Sequence, residues 1–403
     1  MRPSGSLNSV VAIRPVAAVI AAEFMRTFTR SAAWIFMPLY LERVRHIPYG
    51  FIGLIFTVAS MAAFPFALLG GNLIDRLGSR KILLTVSPLL SIVFFSMSFL
   101  VYSEARSIYL YAAFISSFPL ATVQATADSV VVTHATELDQ RITAFSLTRI
   151  SANVGFSAGP VLGGALSALG YHIIFAMPAI AAICETLLYW AIVRQDTRAG
   201  GVEGAVFHFP WDDRVFILVV LLVSLSWFGA GQWGTTLTLF LSSQYGISNL
   251  MIGAIYASNG VAVAVLQLPM NRLLRRIDEV LRIGLGSVIY GVAFFLYSVS
   301  GNIFFLIGNT VFLTLGENTI SPVMNSLVSR MAPPERRGAY FGTLQFFNGF
   351  ISPLAPLMGS EMLQSIGGHH HTFWGIIMAI NLSVAAAILS VRRLRGVRER
   401  LSL

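Results

Sequence analysis

Three charged residues lie close together in an otherwise apolar run near the start of the sequence: Glu23, Arg26 and Arg30. If the run is helical, offsets of three and four residues place these side chains along one face. A charge inside a membrane-spanning helix costs about 2.5–3.5 kcal/mol on insertion scales unless it is paired or hydrated. A carboxylate that can bind a proton, beside guanidiniums that can bind an anion, therefore predicts a functional site. The alternative is a Glu23–Arg26 ion pair that only stabilises the helix, which would leave Arg30 in need of a partner.

A second polar group lies in an apolar run of the C-terminal half. Glu317 and Asn318 stand together near the middle of this run, and Glu317 is a candidate proton site. A neutral glutamic acid hydrogen-bonded within the helix packing is the alternative. In an earlier run, Arg149 lies at a predicted depth similar to that of Glu23, so it is a candidate partner for Glu23 across helices.

A short charged segment, residues 71–81, separates two long apolar runs. Gly71 and Gly78 would allow close helix approach and a tight turn. Asp75 can accept from a nearby helix N-terminus. The cations of the segment are expected at the lipid headgroups, where they mark the cytoplasmic side: Arg76, Arg80 and Lys81.

The composition excludes an ordinary soluble protein. Of 403 residues, 56% are hydrophobic and only 11% are charged, and the mean hydropathy is +0.74. The one cysteine, Cys184, leaves no disulfide framework and no cysteine metal site. The net charge of +9 does not indicate nucleic-acid binding, because most arginines fall in loops on one predicted side of a membrane.

Apolar runs long enough to span a bilayer recur along the whole chain. We predict an all-α integral membrane protein with twelve spans and both termini in the cytoplasm. Residues 1–194 would form an N-terminal six-helix half, 195–213 a cytoplasmic linker, and 214–403 a C-terminal six-helix half. The predicted spans are 15–41, 48–70, 82–102, 108–133, 142–167, 172–194, 214–242, 248–270, 283–300, 302–329, 339–362 and 372–391.

The two halves share a weak internal repeat. The interval from Arg141 to Asn153 recurs between Arg336 and Asn348 at an offset of 195 residues. A glycine- and proline-rich stretch follows in both halves. The repeat indicates two related six-helix bundles in one chain.

The segment 71–81 reads G-x-L-x-D-R-x-G-x-R-K and resembles the loop between helices 2 and 3 of the major facilitator superfamily. The resemblance implies a substrate site between two six-helix halves, near the middle of the membrane, lined by the first, fourth, seventh and tenth spans. It also implies that the segment is a gating loop, with Asp75 and an arginine forming a latch with Asp128. Ser79 stands where the family usually has arginine, so Arg76 or Arg80 would be the partner. The alternative is that the loop only anchors at the headgroups.

The fifth span carries the stretch Gly155 to Gly164, which resembles the GPxxGG helix of proton-coupled drug antiporters in that superfamily. Ordinary small-residue packing would explain the same pattern. The arginine that those antiporters carry in the fourth span is missing, because residues 114–128 contain none. The expected hinge residues are Gly155, Gly159, Pro160, Gly163 and Gly164.

Further polar and aromatic residues are expected to line the cavity on the family plan: Gln124, Trp227, Gln232, Asn259, Gln345 and Asn348. Glu185 is expected to be peripheral and structural. Residues 369–371 are three consecutive histidines, for which a solvated external loop is expected rather than a metal site.

Taken together, the sequence predicts a transporter and not an enzyme. It contains no P-loop and nothing that resembles a nucleophile–base pair or a metal cluster. We expect secondary active transport of small organic molecules by alternating access, as proton-coupled efflux from a plasma or inner membrane, by a monomer in a lipid bilayer without cofactors or nucleic acid. A proton-coupled carrier of an organic anion is the alternative, supported by Arg26 and Arg30. A non-transporting receptor is a third possibility, but it would need a sizeable soluble domain, and the longest loop has about 20 residues.

Overall fold

A computed structural model describes residues 7–194, 209–333 and 336–401. These residues form helices and turns, with no strand among them. Most of the predicted linker, residues 195–208, lies outside the described residues. The protein is thus an all-α membrane protein, as the sequence predicts.

Sixteen helices follow one another in the described residues. Their bounds are α1 Leu7–Val11, α2 Arg14–Arg43, α3 Tyr49–Leu77, α4 Ser79–Tyr102, α5 Ser107–Ala135, α6 Leu138–Leu166, α7 Tyr171–Ile192, α8 Arg214–Ala230, α9 Thr235–Tyr245, α10 Asn249–Leu273, α11 Glu279–Leu296, α12 Ile303–Met331, α13 Arg337–Ile351, α14 Leu354–Ile366, α15 His370–Val391 and α16 Arg395–Leu401.

Each predicted span falls on a helix, but the seventh and the eleventh are each broken into two. The seventh consists of α8 and α9, and the break runs from Gly231 to Gly234. The eleventh consists of α13 and α14, with Ser352 and Pro353 between them. Glycine and proline explain both breaks, because they weaken or remove helical hydrogen bonds.

Nine helical segments of the described residues are long and apolar enough to cross a membrane, with α8 and α9 counted as one segment. The remaining predicted spans are α2, α6 and the α13–α14 pair. Charged residues at the centre lower the hydropathy of α2, and glycines lower that of α6. With 15 and 13 residues, α13 and α14 are individually short. The number of twelve spans therefore remains a prediction.

The segment 71–81 is mostly helical rather than a loop, which corrects the sequence-based expectation. α3 continues to Leu77 and α4 begins at Ser79, so Gly78 alone separates the two helices. Gly78 has a φ of 84°, which a residue with a side chain would adopt only under strain. A Cβ added at Gly71 would meet no described atom within 4 Å, so the close approach expected at Gly71 is wrong.

The chain forms two compact units by its internal contacts. Unit 1 contains Met1–Arg45, Val58–Glu203 and Ser248–Gly260, and unit 2 contains His46–Thr57, Gly204–Ile247 and Val261–Leu403. The first turns of α3 thus belong to unit 2, although the prediction placed them in the N-terminal half. The first turns of α10 belong to unit 1, although the prediction placed them in the C-terminal half.

In unit 1, α2 packs along α6 and α7, and α4 packs along α5 and α7. Glycines of α6 make the first of these contacts close. A Cβ on Gly155 would lie 2.8 Å from the Phe24 carbonyl oxygen, and one on Gly163 would lie 2.7 Å from the Ala32 Cβ. The two contacts are eight residues apart on both helices, which is about two turns, so the helices stay in register along the crossing.

In unit 2, α11 packs against α12 and α15, and α8 packs against α13 and α15. Its core contains the buried Trp374, whose ring stacks on Phe294 at 5.6 Å between centroids and meets Phe240 edge-on at 5.3 Å. The first turns of α3 lie against α14, where Thr57 donates a hydrogen bond to the Pro353 carbonyl at 2.6 Å.

Candidate functional site

A cavity of about 720 Å³ opens inside unit 1, between α2, α4, α5, α6 and α7. Three charged residues line it, and all come from α2: Glu23, Arg26 and Arg30. The wall is otherwise apolar or carries small hydroxyls, and its aromatic members are Trp34, Phe94, Phe114, Phe118, Phe156 and Phe175. A large apolar cavity with a few convergent polar groups suits an amphipathic organic molecule.

Arg26 is the centre of a charged cluster that extends from this wall into the protein interior. Its guanidinium is buried, lies 2.8 Å from the Asp128 carboxylate and 4.0 Å from that of Glu185, and also contacts Glu23. The Tyr189 hydroxyl donates to the second oxygen of Asp128 at 2.8 Å. Glu23 also accepts from the Thr27 hydroxyl at 3.2 Å. Buried charges are tolerated in such an arrangement because each one is paired.

Arg30 belongs to a second layer of the same cluster, in which the uncharged side chain of Gln124 bridges Arg30 and Glu185. It donates to the Gln124 amide oxygen at 2.9 Å, and its guanidinium lies 5.5 Å from the centre of the Phe94 ring. The Gln124 amide nitrogen donates to Glu185 at 2.6 Å and to the Ser87 hydroxyl at 2.9 Å.

Helical spacing explains how these residues come together. Each of α2, α5 and α7 contributes two residues four positions apart, which lie one above the other on a helical face. The first layer joins Arg26, Asp128 and Tyr189, and the second joins Arg30, Gln124 and Glu185. The cluster therefore spans two helical layers and connects the cavity wall with the buried side of α5 and α7.

Several expectations from the sequence need correction here. Asp128 was expected beside Arg76 or Arg80, but its guanidinium partner is Arg26. Arg80 donates to the Val193 carbonyl at 2.7 Å, at the end of α7. Glu185, expected to be peripheral, is 1% exposed and lies within the cluster.

Gln124 was expected in the cavity wall, but it is fully buried and lies one layer behind it, bonded to Arg30. Ser87 and Tyr189 were not predicted at all. The signal for Tyr189 was its spacing of four residues from Glu185, whereas a lone serine such as Ser87 gives none. Arg149 lies on α6 with an exposed side chain.

The residues expected in the second half of the chain do not gather into a comparable cluster within the described part of unit 2. Glu317 is half-buried on α12 beside the buried Asn318, and Gln345 is exposed on α13. The indole nitrogen of Trp227 donates to the Met324 sulfur, and Asn348 is half-buried. Asn259, on α10, is buried and belongs to unit 1.

Gln232 is a buried polar residue at the break between α8 and α9. It packs against Gly359 of α14, and its amide has no hydrogen-bond partner among the described residues.

Residues 369–371 differ from the expected loop, because His370 and His371 form the first turn of α15. No group of three metal-binding side chains occurs in the part of the chain that the structure describes.

Comparisons with known proteins identify the family of the chain. A family model of the Major Facilitator Superfamily matches residues 19–240 and 216–401. The chain belongs to the Major Facilitator Superfamily. It is similar to the uncharacterized transporter YdeE of Escherichia coli, with 24% identity over 96% of each chain. It is also similar to the class B tetracycline resistance protein of Escherichia coli, with 24% identity over 84% of each chain.

A third relative is the multi-drug resistance efflux pump PmrA of Streptococcus pneumoniae, at 22% identity over 90% of this chain and 92% of that protein. Among solved structures, a POT family transporter in complex with 5-aminolevulinic acid superposes with a TM-score of 0.79 at 14% identity, covering 94% of this chain and 96% of that one. At this identity the structural likeness shows the fold alone. As a superfamily member with transporters as relatives, the protein is a multi-pass membrane transporter of small molecules and not an enzyme.

This superfamily member departs from the drug-antiporter pattern at one point. The arginine expected in the fourth span is missing from α5, while α2 supplies Arg26 and Arg30 to the same buried region. The positive charge thus reaches the carboxylates of α5 and α7 from a different helix.

Proposed function

We propose that this protein is a proton-coupled antiporter that expels lipophilic or cationic organic molecules across the plasma membrane by alternating access. The observation that carries the proposal is the cavity of unit 1, where Glu23 meets an aromatic, apolar wall. Among the described residues that line the cavity, Glu23 is the one carboxylate, and its side chain is 23% exposed. An accessible carboxylate in apolar surroundings can exchange a proton for an organic cation.

The cluster allows Glu23 to change its charge without leaving a buried charge unpaired. Arg26 contacts both Glu23 and Asp128, so Asp128 still compensates the guanidinium when Glu23 is protonated. An ionised Glu23 attracts a cationic substrate into the cavity, and a proton that replaces the substrate releases it. The similarity to a tetracycline resistance protein and to a multi-drug efflux pump supports the efflux direction.

A proton-coupled organic-anion carrier is the second candidate. Arg30 favours it, because its guanidinium lines the cavity over the Phe94 ring and could bind a carboxylate or phosphate. Glu317 on α12 remains a second candidate proton site, and Asp75 with Arg76 or Arg80 remains a candidate gating group. We further propose that the chain forms two six-helix halves, has both termini in the cytoplasm and acts as a monomer.

The experiment that tests this function is transport into proteoliposomes with an imposed pH gradient. The panel would contain tetraphenylphosphonium and ethidium as lipophilic cations and benzoate as an organic anion. We expect gradient-driven cation movement that falls at least about tenfold in Glu23→Gln, a loss worth about 1.4 kcal/mol. Glu42→Gln is the matched control, because Glu42 lies in the last turn of the same helix, outside the cavity lining, with Arg43 3.8 Å away.

Each other result has a defined meaning. Movement of benzoate, lost in Arg30→Lys but not in Glu23→Gln, would replace the antiporter with the anion carrier. Loss of cation movement in Glu317→Gln alone would move the proton site to α12. Cation movement that ignores the pH gradient would reject proton coupling.

A further inference from the structure

Gln124 connects two charged side chains that do not share a direct hydrogen bond. It is fully buried, accepts from Arg30 at 2.9 Å and donates to Glu185 at 2.6 Å and to Ser87 at 2.9 Å. Arg30 lines the cavity, whereas Glu185 is buried behind it. Gln124 is thus the bridge between a group that a substrate can reach and a carboxyl group that it cannot.

The direction of these hydrogen bonds depends on the charge of Glu185. A guanidinium can only donate, so the amide oxygen of Gln124 must face Arg30, and its nitrogen then faces Glu185. An ionised carboxylate can only accept, which suits the amide nitrogen. A protonated Glu185 can instead donate its hydroxyl to the amide oxygen, and this becomes possible when the amide rotates by half a turn.

We propose that Gln124 is a hydrogen-bond switch through which protonation of Glu185 releases Arg30, which already lines the cavity, from its buried acceptor. After the half-turn, the amide nitrogen faces Arg30, and two donors cannot bond. Arg30 then loses its buried acceptor, and its guanidinium, which already lies 5.5 Å from the centre of the Phe94 ring, is free to turn further into the cavity. The Ser87 hydroxyl can accept from the amide nitrogen or donate to the amide oxygen, so it satisfies both orientations.

The charges around Glu185 stay paired when Glu185 is neutral. Arg26 of α2 lies 4.0 Å from Glu185, but it stays compensated by Asp128 of α5 at 2.8 Å. On α7 itself, Tyr189 donates to Asp128, and on α4 the uncharged Ser87 is the contact with Gln124. Helix α6 packs against α5 and α7 and carries Arg149, whose side chain is exposed.

The use of this switch rests on the proposed transport function. Proton binding at Glu185 removes a buried negative charge and frees Arg30 to turn further into the cavity, which repels a bound cation and so favours its exchange for a proton. In the anion carrier, the same event would create the anion site. In either case Gln124 is a positioning residue that acts through Arg30.

The test measures the electrostatic potential in the cavity without a substrate. In a Cys184→Ser background, which removes the one cysteine of the chain, Ala121→Cys places a thiol in the cavity wall, three residues before Gln124. The purified protein in detergent is treated with the anionic 2-sulfonatoethyl and the cationic 2-(trimethylammonium)ethyl methanethiosulfonates. The ratio of the two rates cancels the thiolate fraction, so it reports the potential near the thiol.

The switch predicts that the anionic-to-cationic ratio rises about tenfold as pH falls from about 8 to about 5, since Glu185 becomes neutral and Arg30 is free to turn further into the cavity. Gln124→Met and Glu185→Gln should each remove this step, because Glu185 can then no longer reverse the amide. Every variant also carries Glu23→Gln, because Glu23 lines the same cavity and its own protonation would change the potential, and Glu23→Gln by itself should keep the step. Ser91→Ala is the folding control, since Ser91 bonds the Ala179 carbonyl between α4 and α7 at 3.0 Å, outside the cluster.

A step that survives both Gln124→Met and Glu185→Gln would overturn the switch, and so would a step that vanishes in Glu23→Gln alone, which would assign the titration to Glu23. Because the assay requires neither substrate nor gradient, the step can persist when transport fails, and transport can persist without the step. The two proposals are therefore rejected by different results.

Discussion

The guanidinium of Arg26 on α2 lies 2.8 Å from the carboxylate of Asp128 on α5, and both side chains are buried. This ion pair joins the helix that supplies the cavity charges to the helix that carries Gln124. Removal of one partner would leave a buried charge with weaker compensation, which is far more costly than removal of both.

The first prediction therefore concerns the stability of this pair. Arg26→Met should destabilise the protein by about 3 kcal/mol, because Asp128 loses its cation, while the double change Arg26→Met with Asp128→Leu should recover part of that loss. Thermal unfolding of the purified protein in detergent measures both. The control is Glu42→Gln, at a half-buried pair outside the cluster, which should change stability by less than about 1 kcal/mol. Equal losses in the single and the double variant would contradict the prediction.

The second prediction concerns the contact between α6 and α2. A Cβ on Gly159 would collide with the Phe28 carbonyl oxygen and the Ser31 hydroxyl, whereas one on Gly71 would meet no described atom within 4 Å. Gly159→Ala should thus lower thermal stability and expression, by about 1–3 kcal/mol as expected for overpacking. Gly71→Ala is the matched control, and it should be neutral or slightly stabilising because alanine favours the helix. Similar stability of the two variants would show that α6 can move away from α2 at little cost.

The sequence predicted the helices better than it predicted the partners within the site. Runs of apolar residues located the helices, because a bilayer requires long apolar segments. The breaks in the seventh and eleventh spans were missed, although Gly229, Gly231 and Gly234 in one and Pro353 in the other were visible signals. The segment 71–81 looked like a loop because it is charged, but charge at the end of a membrane helix does not interrupt the helix.

For the candidate site, too, the sequence predicted features within one helix better than contacts between helices. The charged face of α2 was predicted from the spacing of Glu23, Arg26 and Arg30, since all three lie on one helix. The pairing of Arg26 with Asp128 and the burial of Glu185 were not, because they depend on how α2, α5 and α7 pack. The family plan misled at Glu185, where a helix expected at the periphery points a carboxyl group inward.

The third prediction concerns the aspartate that begins α8. Asp213 accepts from the Phe216 backbone amide at 3.1 Å, from the Tyr340 hydroxyl at 2.6 Å and from Arg400 at 2.5 Å. Partial burial raises its pKa, but the hydrogen bonds from Arg400, Tyr340 and Phe216 outweigh this and hold the pKa below its ordinary value of 3.8. A carboxylate with a depressed pKa stabilises the fold above its unfolded pKa, and this stabilisation is lost as pH falls through the folded value.

Asp213→Asn tests this charge, because the amide oxygen of asparagine can still cap the helix, whereas the amide nitrogen in place of Oδ2 cannot accept from Tyr340 or Arg400. We expect a loss of about 1.5 kcal/mol near neutral pH, as for a hydrogen bond to a charged group. The difference from the wild type should shrink once pH falls below about 4. Thermal unfolding in detergent between about pH 3 and about pH 8 measures it.

Asp212 provides the matched control for Asp213. Its hydrogen bonds from Arg336, at 2.6 and 2.9 Å, likewise lower its pKa, but its carboxylate is exposed to solvent. Because water screens that pair, Asp212→Asn should change stability less than Asp213→Asn at neutral pH. If Asp213→Asn lowered stability equally at all pH values, the loss would come from packing at the start of α8, and the charge of Asp213 would have no part in holding α16 against α8 and α13.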